Sequence, residues 1–189
     1  MPENLIRCFI AVEIPEPILN VIAAYLSKLK QISREVRWVR ADTIHLTLKF
    51  LGEIERSRLA TVQSSLEGIS AQANPFSLEI SGCGAFPGKS RPRVFWLGMS
   101  ADKESPLLSV QRWIEKEMAD LGFESENRRF SPHLTLGRVK SPADFSDIFR
   151  YFDKHPFPPM RFNVDHVALI QSHLKPSGAE YEVLREYRF

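Results

Sequence analysis

Apolar and polar positions along the chain alternate in twos over several stretches, with helical spacing between them. Ile6, Cys8, Ile10, Val12 and Ile14 alternate as a half-buried strand. Pro15 and Pro17 open the next segment, where Ile18, Val21, Ile22, Tyr25, Leu26 and Leu29 keep the spacing of an amphipathic helix. Ile44, Leu46, Leu48 and Phe50 alternate again opposite His45, Thr47 and Lys49, predicting a strand with an unbroken apolar face. Leu59, Val62, Leu66 and Ile69 predict a second helix, and Phe76, Leu78 and Ile80 a strand that closes this half.

The same order recurs in the second half. Val94, Trp96 and Gly98 alternate within 93–99, the counterpart of the first strand. Ser105 and Pro106 predict an N-cap and first-turn proline for a helix carrying Leu107, Val110, Ile114, Met118 and Leu121, which Gly122 ends. Leu134 and Leu136 lie opposite His133 and Thr135 in the next strand, after which Gly137 marks a bulge that re-aims Arg138. Phe145, Ile148, Phe149 and Phe152 line a helix; Phe162 and Val164 begin a strand continuing through 167–170, and 181–189 supplies a last one. Gly, Pro and basic residues make 82–92 read as a mobile rim, and Pro156, Pro158 and Pro159 form an extended connector.

One phrase is written twice within this pattern. His45-Leu46-Thr47-Leu48 and His133-Leu134-Thr135-Leu136 lie 88 positions apart, and the flanking elements follow the same offset. A period this long points to a duplicated lobe, since solenoids repeat at shorter intervals. The predicted fold is α+β: bilobal, pseudo-two-fold and duplicated, with antiparallel sheets and flanking helices around a central cleft. One two-lobed domain spans 1–189.

Composition narrows this little further. With 189 residues, 43% of them hydrophobic, the chain can bury one sound core. A net charge of +2 excludes a polycation built to coat nucleic acid. The basic residues nonetheless gather near the repeated phrase: Arg34, Arg37 and Arg40 before the first copy, and Arg128, Arg129, Arg138 and Lys140 around the second. Cys8 and Cys83 match no metal spacing and fit a reducing compartment. Met1 to Arg7 lacks the apolar core of a leader, and no apolar run reaches membrane length, so a cytoplasmic protein without membrane contact is expected.

The repeated phrase carries the chemistry. In a strand, residues two apart share a face, so each copy presents one imidazole and one hydroxyl to the cleft. Imidazole titrates near neutrality, so one histidine can accept a proton while another donates one. In-line displacement at a phosphodiester needs both, on opposite sides of phosphorus. Thr47 and Thr135 can donate hydrogen bonds to the non-bridging oxygens, with Arg or Lys sharing the negative charge, and no metal is required. Zinc is the competing reading, but neither copy brings a Cys, Asp or Glu at a familiar ligand spacing. His155, His166 and His173 have no matching partner and read as structural.

Arg7-Cys8-Phe9-Ile10-Ala11-Val12-Glu13-Ile14-Pro15, the stretch from Trp38 through the first phrase to Glu53, and Val94-Phe95-Trp96-Leu97-Gly98 together form a recognisable pattern. The block Phe130 to Arg138 and the tail Ser172 to Tyr181 extend it. The chain resembles the two-histidine phosphoesterase superfamily, and within it the bacterial and archaeal RNA 2′,3′-cyclic phosphodiesterases, also called 2′-5′ RNA ligases. That resemblance implies a bilobal fold with both motifs on a central cleft. It also implies opening of a 2′,3′-cyclic phosphate at an RNA 3′ end to leave a 2′-phosphate, with no cofactor and no obligate protein partner.

By the family pattern His45 is the proton donor to the leaving 3′ oxygen and His133 the proton acceptor from water. The two motifs are nearly equivalent, so the residues alone do not assign these roles. Arg138 is expected to contact phosphate or RNA, with Arg128 and Arg129 as further RNA contacts. Trp96 and Phe9 could each offer a stacking face to a base, although burial is the default expectation for an aromatic in such a strand. Two rivals remain: 2′-5′ RNA ligation as the main role, and a non-catalytic module that binds RNA ends.

Overall fold

The computed structural model describes residues 4–100, 105–176 and 178–189. Met1, Pro2 and Glu3 of the amino terminus and Ser177 of the tail pattern lie outside them. The first half folds as β1 (Leu5–Glu13), α1 (Glu16–Ile32), β2 (Val36–Trp38), β3 (His45–Glu55), α2 (Leu59–Leu66) and β4 (Phe76–Phe86). The second contains β5 (Val94–Met99), α3 (Pro106–Asp120), β6 (His133–Val139), α4 (Ser146–Lys154), β7 (Met160–Val164), β8 (His166–Lys175) and β9 (Gly178–Arg188).

Local chemistry sets the helix ends. Pro17 sits in the first turn of α1, with Glu16 there and Lys30 in the last turn, each favourable to the helix dipole. At the end of α3, Gly122 takes φ +82°. Its N–H then reaches the Ala119 carbonyl and that of Phe123 the Met118 carbonyl, so two otherwise orphaned acceptors are satisfied. Ser105 occupies the N-cap of α3, but its side chain makes no capping hydrogen bond, contrary to expectation.

All pairings are antiparallel and form two sheets, in the orders β3-β1-β8-β9 and β2-β6-β5-β4-β7. The architecture is α+β with a pseudo-two-fold relation between β3-β1-β8 and β6-β5-β4. The closing strands do not stay within their own halves, as the sequence suggested. β4 pairs with β5 of the second half, and β8 with β1 of the first. Each exchange covers an edge that β1 or β5 would otherwise leave open, and it ties the two lobes together.

The run from Phe162 to Ile170 is likewise two strands and not one. It breaks at Asp165, where the chain leaves one sheet for the other. The segment 82–92 is also only partly a rim, because β4 continues to Phe86 as a paired strand. The last strand starts at Gly178, earlier than its apolar pattern indicated, because the hairpin with β8 extends it.

The apolar faces of the helices and the inward faces of both sheets share one core, which includes Leu46, Leu48, Leu134 and Leu136. The alternation of β3 departs from the sequence reading after Leu48. Thr47 pairs with Ala11 and Lys49 with Ile10, leaving Leu48 as an extra residue in a bulge. Lys49 therefore turns inward and is 5% exposed. Phe50 turns out to the face that carries His45 and is 49% exposed. Among the described residues, no helix is long and apolar enough to cross a membrane.

Candidate active site

His45 and His133 open β3 and β6, and each imidazole is held in the same way. Nδ1 of His45 lies 2.9 Å from the Thr43 carbonyl, and Nδ1 of His133 lies 2.7 Å from the Ser131 carbonyl. A carbonyl oxygen only accepts, so both Nδ1 atoms carry hydrogen and donate it. Nε2 is then the nitrogen each ring leaves free for chemistry, a proton acceptor when neutral and a donor when charged. Two residues before each histidine, the chain supplies the carbonyl that fixes this tautomer.

The surroundings of the two rings differ. His45 stacks on Phe9 at 4.4 Å between centroids and meets Tyr181 edge-on at 5.1 Å. This burial pushes its pKa below the usual histidine value, and the hydrogen bond to Thr43 opposes the shift in part. His133 meets the edge of Phe86 at 4.9 Å.

Both imidazoles and both threonines line one cavity of about 390 Å³, together with Arg7 and Arg138. No carboxylate lines it among the described residues, so it is a cationic pocket shaped for an anion. Arg138 reaches it through a second bulge. Phe95 pairs with Gly137 and Trp96 with Thr135, which leaves Leu136 extra and brings Arg138 round to the side of His133 and Thr135. Gly137 is required there, because a Cβ would lie 2.6 Å from Val36 and 2.8 Å from the ring of Trp38. Tyr181, on the C-terminal hairpin, has its pKa raised by burial, with Arg138 and Arg7 opposing the shift; its phenol stays protonated and can donate.

Arg128 and Arg129 do not line this cavity. They border an adjoining groove of about 840 Å³ that meets it at Thr47, Phe50 and His133. Trp96 is not core either. Phe95, Leu97 and Met99 form the buried face of β5, and Trp96 is half-buried on the cleft side beside Thr135. Phe9, by contrast, is 2% exposed and serves as the floor beneath His45.

Sequence reasoning passed over Arg7, Tyr181, Phe50 and Lys49. Arg7 was legible, since it shares with Phe9 the face of β1 opposite Ile6, Cys8 and Ile10; Tyr181 was not, since only the exchange of β8 brings its hairpin to the cleft. Lys49 donates to Glu115 at 2.5 Å and to the Glu124 carbonyl at 2.6 Å, and Glu115 also accepts the Glu126 N–H at 2.8 Å. The first motif strand thereby fastens the start of the segment that leads to Ser131 and His133.

Of the remaining histidines, His166 bonds to Asp165 at 2.6 Å and faces Glu13 at 3.5 Å. Glu13, His166 and Glu186 form a group whose ligand atoms lie within 4.8 Å of one another, outside the two-histidine cavity. His173 bonds to Glu182 at 3.1 Å, and His155 packs on Tyr151.

Comparison with known proteins converges on one group. The family model described as the 2′-5′ RNA ligase superfamily matches residues 20–176. An RNA 2′,3′-cyclic phosphodiesterase of Archaeoglobus fulgidus is 34% identical over 182 residues, 96% of this chain and 99% of the relative. One of Thermotoga maritima is 33% identical over 184 residues, 97% and 95% respectively. Among solved structures, E. coli LigT complexed with 3′-AMP superposes with a TM-score of 0.78 at 26% identity, covering 98% of each chain.

Proposed function

The chain belongs to the 2′-5′ RNA ligase superfamily, and we propose that it is an RNA 2′,3′-cyclic phosphodiesterase working as one two-lobed domain. The single observation that carries this reading is the cavity itself: two imidazoles with matching tautomers, two threonine hydroxyls and two arginines, with no carboxylate among the described lining residues. Such a lining suits a monoanionic phosphodiester and repels nothing about it.

In this reading the neutral Nε2 of His133 takes a proton from water as the water oxygen bonds to phosphorus. The bond from phosphorus to the 3′ oxygen breaks on the opposite side, and Nε2–H of His45 delivers the proton that oxygen needs. The 2′ ester survives, so the product is a 2′-phosphate. Thr47, Thr135 and Arg138 hold the non-bridging oxygens as charge is redistributed on them. Burial disfavours a charged His45, so the anionic phosphate itself is what promotes its protonated, donating form.

Two imidazoles supply fewer protein ligands than a catalytic zinc ordinarily has, and catalysis here is metal-independent. Arg128 and Arg129 attract the RNA backbone in the adjoining groove; neutralising both should weaken RNA binding and flatten its salt dependence. The working compartment is the cytoplasm, where the free thiols Cys8 and Cys83 stay reduced.

The test is incubation of an RNA ending in a 2′,3′-cyclic phosphate, with and without EDTA, followed by identification of the product isomer. A 2′-phosphate end formed equally in both supports the reading. A 3′-phosphate end, or activity lost to EDTA and restored by zinc, contradicts it.

A further inference from the structure

Opening off the adjoining groove, with which it shares Phe86, Arg129, Ser131 and His133, is a pocket of about 480 Å³ whose lining adds Trp96 as a floor and includes neither His45 nor Arg138. The indole rests on two glycines. A Cβ on Gly84 would lie 2.4 Å from its ring and one on Gly98 3.2 Å, so a side chain at either position would lift the ring off the sheet. Its Nε1 is buried and has no hydrogen-bond partner among the described residues. The polar edge of the ring is therefore sealed, and what the pocket meets is aromatic carbon. Phe86 bridges this floor to the motif, lying 5.2 Å from Trp96 and 4.9 Å from His133.

The pseudo-two-fold does not account for this floor. Ala11 pairs with Thr47 where Trp96 pairs with Thr135. The lobe that carries His45 thus has a methyl group at the position where the other lobe has an indole. A tryptophan that merely filled core would not need two glycines to clear room for it beneath a pocket.

We propose that Trp96 is a base-stacking subsite for a second nucleotide of the RNA strand, distinct from the nucleotide that bears the cyclic phosphate. This rests on the phosphodiesterase reading above. In that reading the terminal nucleoside is held on the His45 side by its 3′ oxygen, and the Trp96 pocket lies past His133. An RNA strand supplies both chemistries that the pocket offers to match: a flat base for the indole and a backbone phosphate for Arg129. No carboxylate lines the pocket among the described residues. Stacking on an aromatic face tolerates any base, so the subsite favours RNA chains over mononucleotides without selecting a sequence.

The experiment compares Trp96→Leu and Trp96→Phe with wild type on two substrates, a nucleoside 2′,3′-cyclic phosphate and a trinucleotide with the same end. Trp96→Leu keeps apolar bulk over the glycines but cannot stack. Its KM for the trinucleotide should rise roughly tenfold or more with kcat unchanged, while kcat/KM for the mononucleotide stays within about twofold. Trp96→Phe should recover much of the loss. An abasic residue next to the terminal nucleotide should weaken wild type and leave Trp96→Leu no worse.

Equal losses on both substrates, or none on the trinucleotide, would overturn the proposal. If wild type opened neither substrate, the phosphodiesterase reading would fall instead. Equilibrium binding of the trinucleotide 2′-phosphate would then decide the subsite alone, with unchanged affinity in Trp96→Leu counting against it.

Discussion

Phe50 and Arg138 each stand five residues beyond the histidine of their strand, and both line the two-histidine cavity. Each is brought there by a bulge at the last leucine of the motif, so the duplicated backbone device delivers an aromatic ring on one side and a guanidinium on the other. Arg7 lies 4.5 Å over the Phe50 ring and also lines the cavity, so both halves still place one cation there. Arg138→Gln removes a charge-assisted contact worth about 1.5–3 kcal/mol. It should lower kcat/KM by roughly tenfold to a hundredfold, while Phe50→Leu leaves Arg7 and the phosphate contacts in place. Steady-state kinetics on a cyclic-phosphate substrate checks this; equal effects of the two changes would contradict the distinction.

The pKa of His45 should lie below about 6.5, the unperturbed histidine value, in the free protein. Burial against Phe9 and Tyr181 disfavours the imidazolium, so Tyr181→Ala should move the pKa up towards that value. Bound inorganic phosphate should also move it up, because an adjacent anion favours the charged form. NMR titration of the ring resonances reads all three. A downward shift on phosphate binding would mean that His45 does not face the anion.

Lys49→Met should destabilise the protein by roughly 3 kcal/mol, the scale expected when one partner of a buried pair is removed. The Lys49 side chain is 4% exposed and that of Glu115 20%, so the carboxylate left behind retains some solvent. Thermal unfolding should show a drop on the order of 6–12 °C. A melting temperature unchanged from wild type would mean that the pair does not hold the 124–126 segment to β3.

The motif strands, helices and two-lobed plan were legible because they are local: period two in β3 and β6, helical spacing in α1 and α3, proline and glycine at their ends. The bulges were only half legible. Gly137 signals one, since packing against Val36 and Trp38 forbids a side chain there, but nothing in Lys49-Phe50 announces the other, which depends on what β1 offers as a partner. The strand exchange and the arrival of Tyr181 over His45 are long-range pairings to which period and composition are blind. Trp96, for which the alternation alone favours burial over a stacking face, turns to the cleft for a related reason. Trp96 and Thr135 are 39 positions apart and Ala11 and Thr47 only 36, so β5 is out of step with the 88-residue repeat and its cleft face is Val94, Trp96 and Gly98.

Thr47→Val and Thr135→Val keep the β-branched shape suited to a strand but remove a donor. If the hydroxyls bind oxygens whose charge is redistributed in the transition state, each change should cost about 3 kcal/mol, roughly a hundredfold in kcat, with little change in KM. A rise in KM alone would make them ground-state contacts.

The paired acid and base are tested most directly by rates for His45→Ala and His133→Ala on two nucleoside cyclic phosphates. One is ordinary, and the other carries sulfur in place of the 3′ oxygen. On the ordinary substrate each variant should lose a factor of roughly 10² to 10⁴. A thiolate leaves without needing a proton, so the sulfur substrate should restore much of the rate to His45→Ala and none to His133→Ala. Near wild-type turnover by either variant on the ordinary substrate would contradict the mechanism, and rescue of His133→Ala alone would reverse the two roles.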